Sequence, residues 1–281
     1  MRYGIVLFTS DRGITPADAA RAAEDAGFAT FYVPEHTHIP VARTAAHPRT
    51  GDETLPDDRY LRTLDPWVAL ATAAAVTTRI TLSTAVALPA EHHPIALAKT
   101  IATLDHLSGG RVRLGVGFGW NTDELAHHGV PAGRKRTVLR EHLEAVRTLW
   151  TNEEASYEGE FVSFAPSWSW PKPQKNIPVL LGCAGTEKSF TWLARNADGW
   201  ITTPAESDIS PKIGLLHHIW RTRGRQGLPD IIALAGRHDA AQLAQWADSG
   251  VTEAVFGLPD RSPDDVRAYI ARLAGKLGLS Q

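Results

Sequence analysis

The chain has one cysteine, Cys183, among 281 residues. A lone thiol makes neither an internal disulfide nor a thiolate-based zinc centre. A basic surplus is missing too: 29 Lys and Arg stand against 31 Asp and Glu, a net charge of −2. Nucleic-acid binding rests on neutralising phosphates, so the balance argues against it as the main activity. Long apolar runs are absent. The most apolar stretch, from Trp67 to Val76, contains Thr72 and falls far short of the ~20 residues of a membrane span. Met1-Arg2-Tyr3 leads straight into Gly4-Ile5-Val6-Leu7-Phe8, with no charged n-region and cleavable small-residue site ahead of it. The expectation is a soluble, cytoplasmic protein with no nucleic-acid or membrane partner. What is present is ordinary globular material, 43% hydrophobic and 21% charged, enough for a large core.

The length is compatible with two domains of about 150 residues or one barrel of about 250. Apolar runs of strand length fall at 3–8, 28–33, 80–86, 112–116, 179–181, 199–202, 231–234 and 254–256. Their nearly continuous hydrophobicity fits parallel strands covered on both faces. Helices lie between them. Thr15-Pro16, Asp65-Pro66, Ser210-Pro211 and Ser262-Pro263 each put a capping side chain before a proline at the first helical position, and His93-Pro94 is a weaker version. Leu139, Leu143, Val146 and Trp150 recur at helical spacing, as do Val266, Ile270, Leu273 and Leu277. Ser108-Gly109-Gly110 reads as a helix stop.

Eight strand candidates with intervening helices predict a single α/β domain over residues 1–281, a (β/α)8 TIM-like barrel. A doubly wound sheet competes. It normally brings Gly-x-Gly-x-x-Gly after strand one, and Phe8-Thr9-Ser10-Asp11-Arg12-Gly13 is not that. An extended polar loop, 38–64, follows strand two, and a Trp/Pro-rich insertion, 156–176, follows the helix after strand four. Loops of this length are commonly lids.

Barrels place their chemistry just past the strand C-termini. After strand two stands Glu35-His36-Thr37-His38, and histidine exchanges protons near neutral pH. The competing reading is a pair of surface histidines in a chain that has 12. His-x-His also offers two zinc ligands, but no histidine follows strands four, five or six to complete a shell. After strand five, Gly182-Cys183-Ala184-Gly185 runs into a helix that Thr186 can cap. This is a candidate anion site, or an ordinary turn needing glycine. Cys183 reads as a small buried thiol rather than a nucleophile. Gly115, Gly117 and Gly119 alternate along strand four and its exit, leaving one face bare for a flat ligand or another backbone. Phe118 and Trp120 would be apolar walls, or simply core.

These pieces together resemble the luciferase-like monooxygenase superfamily, and within it the deazaflavin (coenzyme F420)-dependent oxidoreductases. The matching runs are Ala22-Ala23-Glu24-Asp25-Ala26-Gly27-Phe28, Val33-Pro34-Glu35-His36 and Asp65-Pro66-Trp67-Val68-Ala69-Leu70. They continue with Thr78-Arg79-Ile80-Thr81-Leu82-Ser83-Thr84, with 102–111 ending in Leu107-Ser108-Gly109-Gly110-Arg111, with 114–120, and with Ala197-Asp198-Gly199-Trp200. The resemblance implies a barrel with F420, or alternatively FMN, across its strand C-termini. It implies a non-prolyl cis peptide at Ala85-Val86 backing the ring, and Glu35-His36 as the active pair, His36 exchanging the proton and Glu35 orienting it. It further implies cofactor contacts from Gly117, Phe118, Gly119, Asp123 and the adjoining Glu124, and the cofactor phosphate on Gly182, Cys183, Ala184 and Gly185. His38, Trp120 and Trp168 would line the substrate pocket. Sugar-phosphate dehydrogenases of the superfamily carry a catalytic Glu where Trp120 stands and a lysine soon after strand six; no lysine lies between Trp200 and Pro211. The expected substrate is therefore a small, weakly charged organic molecule, an enone, imine or alcohol. The expected partner beyond it is a second copy in a homodimer. The competing functions are an FMN-dependent monooxygenase, a metal-dependent hydrolase barrel, and a non-catalytic flavin- or deazaflavin-binding protein.

Overall fold

A computed structural model describes residues 1–204, 206, 208–235 and 239–279. The strands are β1 (Arg2–Val6), β2 (Thr30–Val33), β3 (Thr81–Thr84), β4 (Val112–Gly117), β7 (Val179–Gly182), β8 (Gly199–Ile201), β9 (Asp230–Ala235) and β10 (Glu253–Gly257). They close in the order β1-β10-β9-β8-β7-β4-β3-β2, every pairing parallel. All eight expected strands are in the barrel. Around it run α1 (Pro16–Asp25), α2 (Pro66–Val76), α3 (Pro94–Ser108), α4 (Thr122–His127), α5 (Lys135–Thr151), α6 (Glu187–Asn196), α7 (Ser210–Thr222), α8 (Ala240–Ser249) and α9 (Pro263–Leu277). Among the described residues no helix is long and apolar enough to cross a membrane.

The caps explain where most helices start. Thr15, Asp65 and Ser262 accept the N–H of Asp18, Val68 and Asp265, each with proline in the first turn behind them. Ser210 departs from expectation: it is already helical, and Ile209 stands at the cap position without a capping side chain. The third strand is also shorter than its apolar run. It stops at Thr84 because the chain turns at a cis Ala85–Val86 peptide bond, the position the family resemblance implied.

The residues that carried the resemblance are largely scaffold at the end of the barrel away from the site. The carboxylate of Glu24 accepts the backbone N–H groups of Thr78, Arg79 and Ile80 at the entry to β3. Burial works against that charge, but the three N–H donors outweigh it and lower its pKa. Gly109 and Gly110 both take positive φ, ending α3 as side-chain-bearing residues rarely do. The guanidinium of Arg111 then donates to the carbonyls of Ala74, Thr77, Ile80 and Ser108, carbonyls that would otherwise be orphans of helix and turn ends.

The insertion after α5 is an antiparallel hairpin, β5 (Ala155–Glu158) with β6 (Ser163–Ser167), rather than an irregular cover. It starts where α5 has already travelled to the far end of the barrel. Lys99 of α3 donates to the Trp170 carbonyl, and Lys172 to that of Leu149 near the end of α5. Trp168 is therefore not at the strand C-termini but 75% exposed outside the helical layer. The expectation that it walls the substrate pocket is corrected: aromatic density marks a surface, not which end of the barrel bears it.

Inside the barrel, below the site, Arg113 of β4 donates to Glu253 of β10 at 2.8 Å and to Asp230 of β9 at 3.3 Å. Glu253 is fully buried. Removing one partner of such a pair strands the other charge in the interior. Glu253→Ala is expected to cost about 3–5 kcal/mol of unfolding free energy in urea. A loss under about 1 kcal/mol would show that the pair is not the interior strut described here.

Candidate active site

The site is built on a close approach at the strand C-termini. A Cβ on Gly117 would lie 2.5 Å from Val86 Cγ2, and one on Gly182 would lie 2.4 Å from Val86 Cγ1. A Cβ on Gly115 would lie 1.9 Å from the Thr84 carbonyl oxygen. The bare face of β4 is thus filled by the β3 bulge itself, not left open for a ligand. The glycines let Val86 sink between β4 and β7. Four backbone bonds hold the bulge: Ala85 N–H to Val33 O, Ala87 N–H to Gly115 O, Gly117 N–H to Ala87 O, and Glu35 N–H to Val86 O.

His36 sits beside this bulge, 8% exposed. Its Nδ1 lies 2.8 Å from Glu124 Oε2, and its Nε2 lies 3.2 Å from Trp120 Nε1. Indole N–H only donates, so Nε2 must accept and Nδ1 must carry the proton given to Glu124. The arrangement fixes one neutral tautomer with a lone pair on Nε2. Glu124, not Glu35, orients His36. Glu35 turns the other way, accepting the Leu88 N–H at 2.5 Å and pairing with His92 at 2.7 Å. Burial works against the positive charge of His92, but the Glu35 carboxylate outweighs it and raises its pKa.

The loop after β2 folds back over these residues. Thr63 donates to the His36 carbonyl, and Asp123 Oδ2 accepts the N–H groups of Thr44 and Ala45, each at 2.9 Å. Asp123 Oδ2 therefore anchors the loop, and these backbone donors lower the Asp123 pKa. His47 and Tyr60, both from this loop, share a 3.0 Å hydrogen bond and stand edge-on to Trp120. An open cleft of about 560 Å³ lies over Arg43, Thr44, Glu53 and Asp123, and no barrel strand lines it.

His38 is not brought to the mouth. It is exposed and stacks on His127 of α4, with Nε2 to Nδ1 at 2.8 Å. His36 turns inward and His38 outward, and among the described residues no group of three or more His, Cys, Asp or Glu is placed to hold a metal ion. Gly119 has φ +74° and rests on Leu125. Phe118 packs edge-on against Trp192 under the guanidinium of Arg136. Trp120 stands edge-on to His36, ring centroids 5.5 Å apart.

At the end of β7, Cys183 is buried and its thiol pKa is pushed up to about 12, chiefly by burial and secondarily by Glu206. It is no nucleophile, and its carbonyl accepts the indole N–H of Trp200 at 2.8 Å. Thr186 caps α6, while Ala184 and Gly185 leave the backbone accessible. Two charged residues were missed from sequence. Arg136 donates through Nη2 to Ser189 in the first turn of α6, and Glu206 accepts the Gly185 N–H at 2.8 Å.

A third carboxylate, Glu91, lies fully buried near Glu124 and Glu35 and hydrogen-bonded to Thr37. Burial first, then the charges of Glu124 and Glu35, raise its pKa to about 9. Between its ordinary value of 4.5 and about 9 the folded chain therefore holds a proton the unfolded chain releases. This group takes stability away as pH rises through that window. Glu91→Gln is expected to flatten the urea-unfolding stability profile between pH 5 and 9 and to gain most over the parent at the alkaline end. A profile as steep as the parent's would contradict a protonated Glu91.

The fold and this geometry converge with comparisons to known proteins. The model of the luciferase-like monooxygenase family matches residues 11–252, and the chain belongs to that family. It is 69% identical over 278 residues to a Mycobacterium tuberculosis protein named only "Uncharacterized protein Rv0953c", covering 99% of each chain. It is 30% identical over 280 residues to the F420-dependent glucose-6-phosphate dehydrogenase of Kineococcus radiotolerans, covering 94% of this chain and 76% of that one. Among solved structures, the monooxygenase RslO1 of Streptomyces bottropensis superposes with a TM-score of 0.77 at 20% identity, covering 99% and 98% of the two chains. An F420-dependent secondary alcohol dehydrogenase, solved with an F420-acetone adduct, superposes with a TM-score of 0.75 at 16% identity, covering 98% and 97%. The likeness to the two solved structures is one of fold.

Proposed function

We propose that the protein is an F420-dependent oxidoreductase acting on a small, weakly charged carbonyl compound or alcohol. The observation that carries the reading is the fixed neutral tautomer of His36, its Nε2 lone pair held beside the Val86 bulge. The residues present fit the cofactor. The bulge carries the half-buried apolar side chains of Ala85 and Val86, and the Gly185 N–H already holds a carboxylate oxygen. Val86, Ala85 and Phe118 would hold the ring system, and the turn 183–186 with Arg136 its anionic tail. When bound, F420 supplies or accepts a hydride at C5.

The chain's own work is placement and proton handling. Once the Trp120 indole N–H swings off its single lone pair, His36 Nε2 takes the hydroxyl proton of an alcohol, or as imidazolium returns it to a carbonyl oxygen. Glu124 stabilises the imidazolium through Nδ1–H and keeps the ring from turning. The loop carrying His47 and Tyr60 covers His36 and keeps water from it. A sugar phosphate fits poorly. The family resemblance puts Trp120 where those enzymes carry a Glu, and an indole offers no carboxylate there. The F420-dependent glucose-6-phosphate dehydrogenases among the relatives thus share the fold, while this site favours an uncharged substrate.

Two measurements test the reading. Purified protein titrated in parallel with F420 and FMN is expected to bind F420 the more tightly; FMN binding with no response to F420 would favour the monooxygenase alternative. His36→Ala is expected to keep F420 affinity within a few-fold while turnover falls by about 10²–10⁴. Undiminished turnover would remove His36 from the mechanism.

A further inference from the structure

We infer that Glu206 is a built-in competitor for the cofactor's anionic tail, holding the tail's place at the start of α6 and leaving when the tail arrives. The inference rests on the F420 reading above. Its basis is a contact that the anion site does not need for folding of the turn. Glu206 Oε1 accepts the Gly185 N–H at 2.8 Å, Oε2 accepts the Thr203 N–H at 3.1 Å, and the carboxylate is ion-paired with Lys212. Its side chain is only 6% exposed. A carboxylate at a helix N-terminus occupies the same electrostatic well as a phosphate oxygen. The Gly185 N–H cannot serve both.

The surroundings are built for a larger anion than one carboxylate. Arg136 reaches the first turn of α6 from the start of α5, with Nη2 3.2 Å from Ser189 Oγ. Its Nη1 is buried and finds no hydrogen-bond partner among the described residues. The guanidinium lies over the Phe118 ring with Nη2 at the first turn of α6, where a phosphate oxygen could replace Ser189 Oγ as its acceptor. Gly185 is what brings the Glu206 arm so near: a Cβ there would lie 2.6 Å from Lys212 Cδ and 3.0 Å from Glu206 Oε1. Displacing Glu206 frees Lys212 in the same step, so a tail gains the N–H and a second cation together. A site occupied by its own side chain binds ligand more weakly by the fraction of time it is open.

The test compares F420 with its phosphate-free core, the 8-hydroxy-5-deazaflavin nucleoside analogue FO, by fluorescence titration of the full chain. Glu206→Ala is expected to tighten F420 by at least about five-fold, since the closed fraction no longer discounts affinity. FO affinity is expected to stay within two-fold. Glu206→Gln, which keeps an acceptor but no charge, is expected to fall between parent and Ala, and it decides the matter if the Ala variant loses its fold. Unchanged or weaker F420 binding in the folded variants, with FO unchanged, would overturn the inference and make Glu206 a permanent staple of the turn. Equal tightening of both ligands would overturn it too, because the effect would not concern the tail. Failure of F420 and FO alike to bind the parent chain would instead sink the cofactor reading beneath it.

Discussion

The side chain of Val86 occupies space that Gly117 and Gly182 leave empty, and the geometry of the mouth follows from that. Any side chain at either glycine would meet Val86 at about 2.5 Å, so the β3 bulge would be pushed outward. The bulge lies between the end of β3 and the turn that bears Glu35 and His36, and the Val86 carbonyl receives the Glu35 N–H. One packing event therefore sets both the apolar floor of the site and the position of its histidine. The glycines serve the protein's own backbone first and a ligand only through it.

Above that floor the chemistry is organised by which groups are left no choice. Trp120 can only donate, so His36 Nε2 must accept; Glu124 is then the one that receives Nδ1–H. Three carboxylates, Glu35, Glu91 and Glu124, are buried close together. Each meets its cost differently. Glu35 pairs with His92 and a backbone N–H, Glu124 with His36 and the Thr37 N–H, and Glu91 keeps its proton. The neighbouring histidines 38, 127 and 128 gather around Thr37 at the surface.

The fold was legible because the runs that carried the family resemblance are structural. Glu24, Gly109, Gly110 and Arg111 tie strand entries to helix ends. The site was legible only in part. Strand-end position pointed to His36, Trp120, Val86 and the turn after β7. Glu124 reads from sequence only as a cofactor contact beside Asp123 and not as the partner of His36, although the Asn121 cap sets the phase of α4 and turns Glu124 inward and Asp123 toward the loop. That phase was the available signal. Arg136 and Glu206 carried none, since they meet the turn after β7 from distant segments through tertiary packing. Trp168 misled for the converse reason: composition said aromatic, while only the path of α5 and the hairpin says which end of the barrel it reaches.

The central claim is that a planar redox ring lies on the Val86 bulge with His36 beside its reactive edge. A crystal structure of the F420 complex tests it most directly. The account predicts the ring against Val86, the Nε2 of His36 facing the reacting carbon's side, and the tail at 183–186. Density for the ring elsewhere, such as the open cleft over Arg43 and Asp123, would contradict it.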